Sequence, residues 1–249
     1  MVHNPHESTD QHLPRRAALL RLGATLAALP MLGIAACASS KRQTNLPNVT
    51  WPNGPRANPV AARPVTTAIS PPEYAVPVTG NISVIKRAEW AKSAPVPSLM
   101  DPMLPVNKIT LHHDGMPSGF TSTDKAAAAA HVERIRQAHR ERNFGDIGYH
   151  YLIDPAGRVW QGRELRWQGA HVKDQNPGNL GICFMGNYEL QQPNQAQLAT
   201  AQLFVSEAMR YYNVRVTAVY THRELAPTAC PGRYLQPQLV GLRKSGSLA

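Results

Sequence analysis

The chain is poor in cysteine, in aromatic residues and in long apolar runs. Three cysteines in 249 residues, Cys37, Cys183 and Cys230, are too few and of the wrong parity for a disulfide scaffold, so each needs its own explanation. Aromatics make up 6% of residues, and no run of five basic residues occurs despite a net charge of +10. That combination carries no nucleic-acid-binding motif, and a nucleic-acid partner is not expected. The main apolar run, Leu22 to Ala36, is about fifteen residues, short of the roughly 20 a spanning helix needs. No internal repeat is visible, which sets aside repeat architectures.

What is present divides the chain in two. Most of its 22 prolines fall in the first half, and the rest has the composition of an ordinary globular domain, long enough to bury a core without covalent staples. Residues 1–36 carry a net charge of +1 and the remainder +9, a sign that suits a membrane surface or a carboxylate-rich polymer. Arg15, Arg16 and Arg21 precede the apolar run, giving the charged and apolar regions of a secretory signal. The run closes Ile34-Ala35-Ala36-Cys37, which resembles the lipobox of bacterial lipoproteins. By that resemblance residues 1–36 are a signal peptide and Cys37 is lipidated and becomes the first mature residue. The arginine pair resembles a twin-arginine signal, with Ala18 where Phe is usual. Residues 37–80, rich in Pro, Asn, Thr and Ala, bury too little to offset ordering entropy and read as a tether.

From about residue 81 to 243 the pattern is globular. Strands are expected at Lys108–His112, Tyr149–Ile153, Arg158–Gln161 and Leu180–Met185, and across Val214, Val216 and Ala218 as far as His222. Thr121–Asp124 fits a capping box before a helix reaching about Arg142, with Ala128, Val132, Ile135 and Ala138 on its inner face. A second helix runs from Asn194 to Tyr212 and a short one from Leu235 to Leu242. Strands interleaved with long helices imply an α/β fold, a sheet covered by helices.

His112 and His222 each end a strand, and Cys230 follows His222 by eight residues in a loop stiffened by Pro227 and Pro231. A catalytic zinc site takes three such ligands and keeps a fourth position open. Two imidazoles and a thiolate leave the ion net positive, able to acidify water and polarise an amide. Spacing alone leaves other readings open: histidines that are merely structural, or a Cys183–Cys230 disulfide.

Five ordered segments narrow the choice: Ile109–Asp114, Gly145–Ile153, Gly169–Val172, Asn179–Asn187 and Thr221–Gly232. Together they resemble the N-acetylmuramoyl-L-alanine amidases of the amidase-2 type, a family that includes the peptidoglycan recognition proteins. Arg87–Trp90 resembles the opening segment of the recognition-protein branch. The resemblance spans roughly Ile82 to Leu242 and implies a mixed central β-sheet flanked by helices. It implies Zn2+ as cofactor, held by His112 rather than His113, with His222 and Cys230. Tyr149 matches the tyrosine beside the metal, and Thr228 a position two before the cysteine that is Lys or Thr among members. Both would be hydrogen-bond donors to the oxyanion formed when the bond between N-acetylmuramic acid and L-alanine is cut. His171 and Asn179 match groove-lining positions that contact substrate.

The implied partner is peptidoglycan or its muropeptides, acted on by a monomer anchored to a membrane through its lipid. Ala38 after the lipobox cysteine points to the outer membrane and hence the periplasm. Two alternatives stand beside the amidase: a non-catalytic peptidoglycan-binding module, and a Cys–His hydrolase with Cys230 as nucleophile, which Pro231-Gly232 disfavours because no helix starts there. His113 and His150 read as structural, Cys183 as a buried free thiol, and His131 and His139 as helix-surface residues.

Overall fold

The structure is a computed structural model that describes residues 82–248. The signal peptide, lipidated Cys37 and tether expected in residues 1–80 lie outside the described residues. The elements run β1 (Val84–Ile85), β2 (Lys108–His113), α1 (Lys125–Glu141), β3 (Tyr151–Ile153), β4 (Val159–Gln161), β5 (Asn179–Phe184), α2 (Gln195–Tyr212), β6 (Val219–Thr221), α3 (His222–Leu225) and α4 (Gln236–Lys244). The six strands form one mixed sheet in the order β1-β4-β3-β5-β2-β6. Only the β3–β4 pair, joined by the Asp154–Gly157 turn, is antiparallel. The expected mixed α/β architecture is therefore what the chain adopts.

Alternation along the strands sorts side chains to two faces. Ile109, Leu111, Tyr151, Ile153, Leu180, Ile182 and Phe184 pack with α2 and α4 on one face. Leu152, Trp160 and Cys183 pack with α1 on the other. By the same alternation His112 belongs to the α1 face, level with Cys183 across the β2–β5 register.

Helix starts are set by short polar side chains. Asn194 Oδ1 accepts from the Gln197 N–H at 2.9 Å and opens α2, as the sequence suggests. The Thr121–Asp124 capping box does not form. Asp124 is itself the cap, its carboxylate taking the Ala127 N–H at 2.7 Å, so α1 begins three residues later than a Thr121 cap would place it.

Two further expectations are corrected. Val216–Ala218 is a 3-10 turn closed by the Ala218 N–H on the Arg215 carbonyl at 2.8 Å; the strand is only Val219–Thr221. Its alternation was too short to distinguish a strand from a turn. His131 and His139 are buried rather than on the helix surface. With Ala128, Val132 and Ile135 they complete an i, i+3, i+4, i+7, i+11 stripe, and Ala138 lies beside it, only partly buried. His131 stays inside because Asp114 Oδ2 meets its Nε2 at 2.8 Å and Phe120 stacks on its ring. His139 stays inside because its Nδ1 accepts the Gly148 N–H at 2.9 Å.

Candidate metal centre

Parallel strands β5, β2 and β6 end together, and the chain places its polar groups at that edge. β2 delivers His112 near its last residue. β6 ends at Thr221, and a genuine capping box there starts α3 at His222: Glu224 Oε2 takes the Thr221 N–H at 2.7 Å. The loop after α3 returns Cys230 to the end of β2, where its Sγ accepts from the His113 N–H at 3.4 Å and lies 3.7 Å from His112 Nδ1. One ligand atom each from His112, His222 and Cys230 lie within 4.8 Å of one another. Zinc–ligand bonds of about 2.0–2.3 Å in a tetrahedron put nitrogen and sulfur about 3.6 Å apart. The His112–Cys230 separation fits that geometry, and the donor set is of the type zinc takes.

Burial shapes the ionisation of this trio. It drives His112 well below the ordinary histidine range, helped by the neighbouring His222, His171 and His113. It lowers His222 to about 4, with His113 adding to the effect, and pushes the Cys230 thiol up to about 12 against the opposing His113 N–H and Arg223. Both imidazoles are thus held neutral, the form a metal requires.

The return loop is strapped from within. Arg223 donates through Nε to the Thr228 carbonyl at 3.2 Å and through Nη2 to the Ala229 carbonyl at 2.6 Å. Thr228 Oγ1 accepts the Cys230 N–H at 3.2 Å. Residues just before Cys230 are therefore fixed to the residue just after His222. Arg223 was not singled out in the sequence, because nothing in an exposed arginine announces a carbonyl strap. At the end of β2, Asp114 Oδ2 also takes the Gly186 N–H at 2.7 Å and its Oδ1 the Met116 N–H at 2.9 Å, which pins the turn.

Tyr149 precedes β3 rather than lying within it, and its ring centroid is 5.2 Å from that of His112 and 5.5 Å from that of His139. Burial holds its phenol well above the usual range, with Cys183 and Cys230 contributing, so it keeps its proton. Cys183 is a fully buried free thiol, as expected, and Cys230 is free too; no disulfide joins them. His150 is a core residue: Nδ1 accepts the Gly181 N–H at 3.0 Å and Nε2 lies 3.1 Å from the Trp167 carbonyl. His113 faces away from His112 and stacks with Tyr188.

The two expected groove residues, Asn179 and His171, are both buried. Asn179 has no exposed surface; its Oδ1 accepts from Thr110 Oγ1 at 2.8 Å and its Nδ2 donates to the Gln175 carbonyl at 2.8 Å. Opening β5 inside the sheet engages its side chain in the fold. His171 is buried behind His112, with Nδ1 3.0 Å from His112 Nε2 and Nε2 3.1 Å from the Asn179 carbonyl. Gly169 and Gly181 flank its ring. A glycine inside a strand marks close approach by another group, and Gly181 was the available sign.

The family model described as N-acetylmuramoyl-L-alanine amidase matches residues 102–233. Peptidoglycan-recognition protein SD of Drosophila simulans is 31% identical over 163 residues, 65% of this chain and 86% of that protein. The N-acetylmuramoyl-L-alanine amidase of Sus scrofa is 30% identical over 168 residues, 64% of this chain and 27% of that protein. Among solved structures, a chain from the crystal structure of tracheal cytotoxin bound to the ectodomain complex of peptidoglycan recognition proteins LCa and LCx aligns with a TM-score of 0.55 at 30% identity. It covers 62% of this chain and 94% of that one.

Proposed function

The chain belongs to the N-acetylmuramoyl-L-alanine amidase (amidase-2) family, and from that premise we propose that it is a zinc-dependent hydrolase of the amide between N-acetylmuramic acid and L-alanine in peptidoglycan or muropeptides. The observation that carries the proposal is the convergence of His112, His222 and Cys230, with Cys230 Sγ 3.7 Å from His112 Nδ1. A relative that only recognises muropeptides has no need of a complete zinc-type donor set. When bound, the ion would supply Lewis acidity, polarising the scissile carbonyl and making water nucleophilic near neutral pH.

The residues of the chain would do the rest. His112, His222 and Cys230 would hold the ion. Tyr149, its proton retained by burial, donates to the oxygen that becomes negative as the amide carbon turns tetrahedral. Thr228 spends an oxygen lone pair on the Cys230 N–H and keeps its hydroxyl proton for a second donation.

The proposal extends to location. Cys37 would be lipidated after removal of residues 1–36, and residues 37–80 would tether the monomeric amidase domain of residues 81–243 to the periplasmic face of an outer membrane, within reach of the wall. Mass spectrometry of the mature N-terminus tests it; an unmodified start at another residue refutes lipidation.

The activity is tested by digesting purified peptidoglycan with and without a zinc chelator. Expected products are stem peptides beginning with L-alanine, lost on chelation and restored by zinc. Binding without release would turn the reading to a recognition module, a role suggested by the names of several relatives. Release insensitive to chelation would return Cys230 to the role of nucleophile. Cys230→Ala and His222→Ala should both abolish release.

A further inference from the structure

His171 carries an arrangement that the zinc reading does not require and the fold takes trouble to build. Its Nε2 lies 3.1 Å from the Asn179 carbonyl oxygen, which can only accept, so that nitrogen bears the proton. In a neutral ring the other nitrogen, Nδ1, is then an acceptor. It lies 3.0 Å from His112 Nε2. His112 Nε2 must therefore be the N–H that donates, which leaves the lone pair of His112 on Nδ1, the atom 3.7 Å from Cys230 Sγ. We propose that His171 is a positioning residue: it fixes His112 in the Nε2–H tautomer and in the ring orientation that turns Nδ1 toward Cys230 and His222. The inference rests on the zinc reading of those three residues.

The surroundings of His171 support a dedicated role. A Cβ at Gly169 would lie 2.4 Å from its Cδ2 and 2.6 Å from its Nε2; one at Gly181 would lie 2.5 and 2.6 Å from the same atoms. The ring thus occupies a slot that only two glycines leave open. Gly181 sits opposite Thr110 in the β2–β5 register, two residues before His112 and on the same face. Asn176 Oδ1 accepts the His171 and Val172 N–H groups at 3.0 and 2.9 Å, anchoring the backbone from which the ring projects. Backbone carbonyl, His171 and His112 form one chain of hydrogen bonds with a single direction. Groups that set the tautomer of a metal-binding histidine in this way typically govern metal affinity by about 10–100-fold.

The test uses the full chain and zinc alone, by competition with a chromophoric chelator. His171→Ala is expected to weaken zinc binding by roughly 10–100-fold relative to the wild type. His171→Asn puts an acceptor oxygen near the place of Nδ1 and should recover most of the affinity. His171→Gln, whose amide reaches the place of Nε2 instead, should stay as weak as the alanine variant. Nitrogen-15 spectra of the metal-free wild type should show His112 protonated at Nε2. An Nδ1–H tautomer, or wild-type affinity in His171→Ala, overturns the inference, as does an asparagine variant no better than alanine. Urea midpoints of the metal-free variants separate lost affinity from lost folding. A wild-type chain that binds no zinc but shows the Nε2–H tautomer would sink the zinc reading and leave the hydrogen-bond chain standing.

Discussion

Gly181→Ala adds one methyl group at the point where sheet and His171 ring touch. The backbone there is ordinary strand, so alanine strains nothing in φ; the cost is steric. The new Cβ would sit 2.5, 2.6 and 2.8 Å from Cδ2, Nε2 and Cγ of the ring, about 1 Å inside normal contact. The ring has no free direction, because Gly169 closes the other side and the Asn179 carbonyl holds Nε2. Overpacking of this kind costs about 1–3 kcal/mol. A displaced ring also weakens one buried hydrogen bond, about 1 kcal/mol. The lower chain entropy of alanine returns roughly 0.5–1 kcal/mol. The net expectation is destabilisation by about 1–3 kcal/mol, with zinc affinity lowered about 10-fold or more because His112 loses its partner. Gly241→Ala in α4 is the control, since a Cβ there meets nothing within 4 Å; it should stabilise by about 0.5–1 kcal/mol. Urea unfolding of the metal-free proteins and chelator competition measure the two quantities. A Gly181→Ala protein with wild-type midpoint and affinity would refute the wedge.

Other expectations concern groups around that point. Tyr149→Phe should lower kcat by about 100–1,000-fold, the usual loss for one oxyanion donor, with zinc affinity unchanged; a normal kcat removes Tyr149 from the chemistry. Asp154 Oδ2 takes Arg158 Nε at 2.6 Å and Trp160 Nε1 at 2.8 Å, and its Oδ1 takes two backbone N–H groups. Asp154→Ala should cost about 3 kcal/mol by urea unfolding, and an unchanged midpoint would contradict the buried network. His139 and His150, outside the ligand trio, are lowered by burial to about 3. The unfolded chain takes up their protons below about pH 6.5 while the native chain does not, so stability is full above that pH and falls as pH drops. Between pH 6 and 5 the metal-free protein should lose about 2 kcal/mol from these two; a flat profile would show them protonated or exposed in the native state.

The long helices were legible because each repeats its period several times, α2 over Leu198, Ala201, Val205 and Ala208, and the central strand because Leu180–Met185 is nearly all apolar. The candidate ligand trio was legible only through the order of whole segments, since two strand-end histidines and a cysteine have many uses. His131 and His139 were misplaced because histidine is buried or exposed according to partners. Those partners, Asp114 and the Gly148 N–H, come from outside the helix. The burial of His171 and Asn179 was not legible from likeness of position, because the hydrogen bonds that turn them inward involve β2 and β5. The strand expected at Val214–Ala218 rested on three alternating residues, too few to outweigh a local turn.

The last segment of the described chain is attached to the sheet by a short seam. β6 is an edge strand of three residues, paired only with β2. Arg243 in α4 donates to the Val219 carbonyl at 2.7 Å and pairs with Glu224 in α3, so the edge strand and both terminal helices are bound to one another. Amide protons of β6, α3 and α4 should therefore exchange with solvent as a group, through an opening smaller than global unfolding. An ion shared by His112 on β2 and by His222 and Cys230 beyond β6 would act as a clasp across that seam. Adding zinc should slow exchange in the C-terminal group far more than in β3, β4 or α1, with protection rising as the logarithm of free zinc above its Kd.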